Sequence, residues 1–215
     1  MIILSLKTYK EATGDNALKL LSSVKKISEE TGVKIIPAVQ PTDIYRIKKE
    51  LGIEVWAQHI DPIDPGKNMG WLSPYSLKEA GATGVVINHS EHKTTDDEVK
   101  KILVKAKEYE LKNVVIAFDP DTVIKYDSWE PDFISYEKED AIGTGKSMVK
   151  TEAANIKKLV SVLTRPLIIG AGIATGNDIR EAVKIGAKGI IMASKFVLAE
   201  NPEEKLRELA DGFKL

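Results

Sequence analysis

Eight short β-branched runs alternate with longer amphipathic ones, and most of the short runs are continuously apolar. The first strand-to-helix turn, Ser5-Leu6-Lys7-Thr8-Tyr9, contains no glycine. Together these features predict an α/β protein: a closed (β/α)8 barrel with short helices, forming a single domain over residues 1–215. Alternating strands and helices imply a parallel sheet, because parallel neighbours need a crossover between them. Unbroken Val/Ile runs suit strands covered on both faces. An open doubly wound sheet is the rival, but it would carry a Gly-rich fingerprint in its first turn. Eight units close naturally into a barrel.

The strands are expected at Ile2–Leu6, Lys34–Val39, Glu54–Gln58, Gly84–Asn88, Val114–Phe118, Phe133–Tyr136, Leu167–Gly170 and Gly189–Ala193. Residues Asn16–Glu30 place Leu18, Leu21, Val24 and Ile27 on one helical stripe, with Thr31-Gly32 as the stop. Val99, Leu103 and Ala106 form a second stripe over 96–110, behind the candidate caps Thr94, Thr95 and Asp96. Shorter helices fit 41–51, 73–80, 150–162, 176–185 and 202–211. The polar stretch 119–130, bracketed by Pro120 and Pro131, is left open. Gly81-Ala82-Thr83-Gly84-Val85-Val86-Ile87 resembles Gly186-Ala187-Lys188-Gly189-Ile190-Ile191-Met192, as a duplication or as convergence on good turn chemistry.

Composition narrows the chemistry. Thirty-one Lys plus Arg against 32 Asp plus Glu give a net charge of -1, with no electrostatic reason to expect nucleic acid or an anionic membrane. Zero cysteine excludes disulfides, thiolate metal sites and cysteine nucleophiles. No apolar run approaches the roughly 18 residues of a membrane span, and the apolar opening Met1–Ser5 is too short for a signal peptide. A cytoplasmic location is the expectation.

Active sites of such barrels lie in the loops that follow the strands. Those loops present Lys7, then His89-Ser90-Glu91-His92, then Glu137, and finally the small-residue turns Ala171-Gly172-Ile173 and Ala193-Ser194-Lys195. A cation, an imidazole and a carboxylate are thus expected to face one another across the mouth. Ser90 and Glu91 read as a helix start, whose positive end would lower the His89 pKa. His89 and His92 are spaced as a possible metal pair, but the His-Glu-x-x-His pattern is absent and His59 is the only other imidazole. Gly143-Thr144-Gly145-Lys146-Ser147 looks like the end of a P-loop, yet Asp140 stands where that motif needs glycine.

Asn88-His89-Ser90-Glu91-His92, Glu137 followed by Ala141-Ile142-Gly143-Thr144-Gly145-Lys146, Lys7 and the closing Ala193-Ser194 resemble the triosephosphate isomerase family. The likeness is closest to the compact archaeal-type form and runs over essentially the whole chain. It implies proton transfer between adjacent carbons of dihydroxyacetone phosphate and D-glyceraldehyde 3-phosphate, through an enediolate, in glycolysis and gluconeogenesis. No cofactor and no metal are implied. By the same resemblance Glu137 is the base, His89 the electrophile and Lys7 the electrostatic binder of substrate. Ser5, Lys7, Ile142, Gly143, Gly172, Ala193 and Ser194 would bind substrate, with Ser90 and Glu91 in support and Glu91 orienting Lys7. The implied partners are a small phosphorylated triose and further copies of the chain, as a homodimer or homotetramer, and neither nucleic acid nor membrane.

Three positions depart from the family pattern. Ser5 stands where the family has Asn, and Met69 where it has Thr before Gly70. Lys138-Glu139-Asp140 replaces a proline directly after the catalytic glutamate. Proline fixes φ and restricts its neighbour, so its loss predicts a loosened hinge for a lid over 138–147. The proline-stiffened loop 61–71, tipped by Met69 and Trp71, is the expected contact with a second copy. These departures keep two alternatives open: a catalytically weakened phosphometabolite-binding barrel, or another phosphate-binding barrel enzyme.

Overall fold

The computed structural model describes residues 1–141 and 147–214. Eight parallel strands close into a barrel in sequence order, the first pairing with both the second and the eighth. They are β1 (Ile2–Ser5), β2 (Ile35–Val39), β3 (Trp56–Ala57), β4 (Gly84–Ile87), β5 (Lys112–Ala117), β6 (Phe133–Tyr136), β7 (Leu167–Ile169) and β8 (Gly189–Met192). The helices between and after them are α1 (Asp15–Leu21), α2 (Val24–Thr31), α3 (Pro41–Leu51), α4 (Pro74–Glu79), α5 (Asp96–Glu108), α6 (Pro120–Asp127), α7 (Met148–Thr151), α8 (Ala153–Val162), α9 (Gly176–Lys184), α10 (Ser194–Val197) and α11 (Pro202–Asp211).

Strand alternation divides the core in two. Ile3, Ile36, Ala38, Trp56, Val86, Val114, Ile116, Ile168 and Ile191 form one buried cluster, the filling of the barrel. Their strand neighbours, such as Ile2, Leu4, Val85, Ile87, Ile134 and Ile190, belong to the larger cluster that includes the helices' apolar stripes. The filling needs one accommodation. A Cβ on Gly84 would stand 2.4 Å from the Trp56 ring, so only glycine on β4 leaves room for the indole that β3 turns inward. Trp56 Nε1 donates to Glu54 Oε1 at 3.1 Å, which satisfies its buried donor.

Local chemistry explains where elements begin and end. The expected helix over Asn16–Glu30 is two helices, parted at Ser22-Ser23. Ser22 Oγ donates to the Lys19 carbonyl at 2.8 Å, a local bond that competes with the helical ladder. The open stretch 119–130 contains α6, because Asp119 accepts from Thr122 N–H at 2.8 Å and Pro120 takes the first helical position. The stretch 150–162 divides into α7 and α8 at Glu152. The two similar turns before β4 and β8 share one geometry. Gly81 and Gly186 have φ of 102° and 104°, and the following Ala82 and Ala187 donate back to Leu77 and Ala182. That is the left-handed helix stop with its six-to-one hydrogen bond.

Candidate active site

Positions two residues past the inward core residues carry the polar chemistry. Ser5 follows Ile3, Gly170 follows Ile168 and Ala193 follows Ile191, while Ser135 and Glu137 continue the inward face of β6. One pocket at this end of the barrel is lined by Ser5, Lys7, Tyr9, His89 and Glu137 on one side. The other side is 171–174 and 191–195. The structure therefore brings Ser5, Lys7, His89, Glu137, Gly172, Ala193 and Ser194 together. Ile142 and Gly143, expected to bind substrate, lie outside the described residues.

Lys7 leaves β1 with φ of 47°, and its carbonyl accepts from Gln58 Nε2 at 3.0 Å. The same amide donates to the Ala38 carbonyl at 3.2 Å, so one side chain after β3 pins two neighbouring strands. Lys7 Nζ reaches Glu91 Oε1 at 2.5 Å, an ion pair between the loops after β1 and β4.

His89 follows Asn88, which has φ of 62°. That left-handed turn is held from both ends of the Asn88 amide, which donates to the Ile116 carbonyl at 2.9 Å and accepts from Thr94 N–H at 3.0 Å. The backbone N–H of Glu91 donates to His89 Nδ1 at 3.2 Å. A neutral ring then carries its proton on Nε2. Burial lowers the His89 pKa, the nearby Lys7 cation lowers it further, and Glu91 opposes them. The helix start expected at Ser90 and Glu91, with its positive end beside His89, is absent: 89–92 is a turn closed by His92 N–H to the His89 carbonyl at 2.8 Å, and the helix begins at Asp96. Thr95 and Glu98 form the capping box that moves the start there. Ser90 sits half-buried within the turn.

Glu137 is only 4% exposed, and its environment favours the neutral acid. Burial pushes its pKa up to about 7, against the Ser135 hydroxyl and the Lys7 cation, with Glu91 adding a little. Ser135 Oγ donates to Oε1 at 3.4 Å. A Cβ on Gly170 would meet Oε1 at 2.3 Å and Cδ at 2.4 Å, so the carboxylate occupies the space of a side chain that β7 lacks.

The opposite wall is backbone. Ala171 and Gly172 have φ of 60° and 70°, and Ala193 precedes the short α10. These small residues leave the backbone of this wall open to the pocket. In chemical terms the mouth holds a carboxylate poised near neutrality, a neutral N–H donor and a cation. Together these can remove a carbon-bound proton beside a carbonyl.

Sequence reasoning did not assign Gln58, Asn88, Ser135 or Gly170. Ser135 and Gly170 carry a findable signal, the period of two that places them inward. Gln58 carries none, because its partners are the carbonyls of Lys7 and Ala38, distant along the chain, and Asn88 enters only as the first residue of the motif around His89, since its Ile116 partner lies on another strand. His59 and His92 stack with centroids 4.1 Å apart, and His59 Nε2 lies 3.3 Å from Asp61 Oδ1. Among the described residues no three His, Asp or Glu side chains are grouped to hold a metal ion. None of their helices is long and apolar enough to cross a membrane.

A family profile described as "Triosephosphate isomerase" matches residues 1–118. A second, "Thiazole biosynthesis protein ThiG", matches 139–214, which includes none of Lys7, His89 and Glu137. Curated relatives named triosephosphate isomerase include those of Methanobacterium bryantii, 39% identical over 97% of this chain and 95% of its own length. Another is that of Methanothermus fervidus, 37% identical over 97% and 96%. A third, from Saccharolobus solfataricus, is 36% identical over 97% and 93%. Among solved structures, the triosephosphate isomerase of Bartonella henselae aligns with a TM-score of 0.76, covering 100% of this chain and 98% of its own. Its 19% identity speaks for the fold alone.

Proposed function

The chain belongs to the triosephosphate isomerase family, and from that premise we propose how its residues divide the work. The reaction interconverts dihydroxyacetone phosphate and D-glyceraldehyde 3-phosphate. Glu137 takes the proton from the carbon beside the carbonyl, and the electron pair moves onto the carbonyl oxygen as the enediolate. His89 Nε2–H donates to the enediolate oxygens, and the hydroxyl proton passes between them across that nitrogen. Glu137 then returns its proton to the adjacent carbon. The observation that carries this reading is the buried carboxylate held near pH 7, facing a neutral imidazole with its proton on Nε2. A neutral donor stabilises a developing oxyanion without first losing a charge.

Lys7 supplies positive potential to the anionic substrate, and Glu91 orients it through their ion pair. Gly172, Ala193 and Ser194 present backbone N–H groups to the phosphate, Ile142 and Gly143 are further substrate-binding positions, Ser5 contacts the substrate and Ser90 supports the His89 turn. The barrel is read as a single domain over 1–215, acting in the cytoplasm in glycolysis and gluconeogenesis. Self-association as a homodimer or homotetramer is supported by Met69 at 99% exposure and Trp71 at 58%, two apolar side chains on one stiff loop.

The test is a coupled assay with glyceraldehyde 3-phosphate on the parent chain and on Glu137→Gln. The expected outcome is turnover in the parent and a loss of roughly 10^3-fold or more in the variant, within the range of general base removal. Tight binding of a phosphate-bearing enediolate mimic without parental turnover would instead favour a weakened phosphometabolite-binding barrel. Equal turnover in both proteins would remove Glu137 from the mechanism.

A further inference from the structure

The residues flanking Glu137 share one anchor outside the barrel. Along β6 and its extension, alternate side chains point to opposite faces, so an inward Glu137 sends both Tyr136 and Lys138 outward. Both end on the same carboxylate. Lys138 Nζ lies 2.8 Å from Glu152 Oε1, and Tyr136 O–H donates to Glu152 Oε2 at 3.2 Å. Asn155 Nδ2 donates to that second oxygen at 2.7 Å.

Glu152 is itself well fixed. It joins α7 to α8, its N–H donates to the Met148 carbonyl, and its own carbonyl accepts from Ile156 N–H. Its side chain is 9% exposed, and the Lys138 and Asn155 hydrogen bonds hold its pKa low, so it is ionised at neutral pH. The backbone N–H of Lys138 also points to Met148 Sδ at 3.3 Å.

The chain thus has an anchored lysine where the family pattern has a proline. We propose that Glu152 is a positioning residue for the reaction: by gripping Lys138 and Tyr136 together, it fixes the backbone that aims Glu137 into the mouth. This rests on the reading of Glu137 as the base. Lys138→Pro would remove both the cation and the N–H donor at this point, so lysine offers a fastening here that proline does not.

Three variants test it by steady-state kinetics beside thermal unfolding: Lys138→Met, Lys138→Arg and Glu152→Gln. Misaiming a reacting group by an ångström costs up to about 10^2-fold. Lys138→Met and Glu152→Gln should therefore lose about tenfold in kcat, with KM within about twofold of the parent. Lys138→Arg, which keeps the cation, should stay within about twofold in both parameters. A merely structural role would lower the unfolding temperature and leave kcat unchanged. Parental kcat in Lys138→Met overturns the proposal, and that variant decides even if Glu152→Gln fails to fold, because Lys138 is 44% exposed. The base reading falls separately, by parental turnover in Glu137→Gln. An inactive Glu137→Gln beside a fully active Lys138→Met removes the anchor alone.

Discussion

The floor and the mouth of the barrel use the same packing device for opposite ends. At the floor, β3 turns the Trp56 indole onto Gly84 of β4. At the mouth, the Glu137 carboxylate, carried by β6, lies on Gly170 beyond β7. In each case a glycine on or just past the next strand leaves the space that a side chain would fill. Burying the indole removes apolar surface from water and stabilises the fold. Burying the carboxylate does the reverse, since it strips water from a charge and raises its pKa to about 7. The same packing therefore stabilises the floor and shifts the ionisation of a carboxyl group at the mouth.

Adding a methyl group to each glycine separates the two. The largest effect is expected from Gly170→Ala, whose Cβ displaces the carboxylate. A fall of about 10^2-fold in kcat should accompany little change in unfolding temperature. A variant with parental kcat would break the comparison, because Glu137 would then not depend on that space. Next comes Gly84→Ala, with an overpacking cost of about 1–3 kcal/mol in chemical denaturation and kcat within about twofold. Loss of activity without loss of stability there would erase the distinction between floor and mouth.

The smallest effect concerns the cost of the buried charge. The folded pKa of Glu137 is above its ordinary 4.5, so its contribution to stability is present below pH 4.5 and lost as pH rises through about 7. Glu137→Gln removes that dependence. Relative to the parent, its unfolding free energy should gain more at pH 8 than at pH 5, by up to about 2 kcal/mol, because the burial cost of the amide is the same at both pH values. The same ionisation should appear in the parent enzyme as a kcat/KM that falls below about pH 7.

How far the sequence carries depends on the range of the interaction. Strand positions are legible because a run such as Val114–Phe118 needs only its own apolar residues to be recognised. The break at Ser22-Ser23 is not, since apolar spacing continues across it while a serine hydroxyl takes a helical carbonyl. Lys7, His89 and Glu137 could be found as a set from motif order at strand ends. Burial rather than a helix end lowers the His89 pKa, because capping by Thr95 and Glu98 starts the helix later than Ser90 and Glu91 suggest.

Alternation and strand count along the sequence determined the barrel, and motifs read locally picked out Lys7, His89 and Glu137, which line one pocket. The tertiary structure alone decided how those groups behave. Nδ1 of His89 is engaged by the Glu91 N–H, Lys7 is pinned by Gln58, and Glu137 is aimed between Gly170 and the Glu152 anchor. The physical reason is that desolvation and aim arise from atoms brought close by barrel closure, which residue order along the chain does not encode locally.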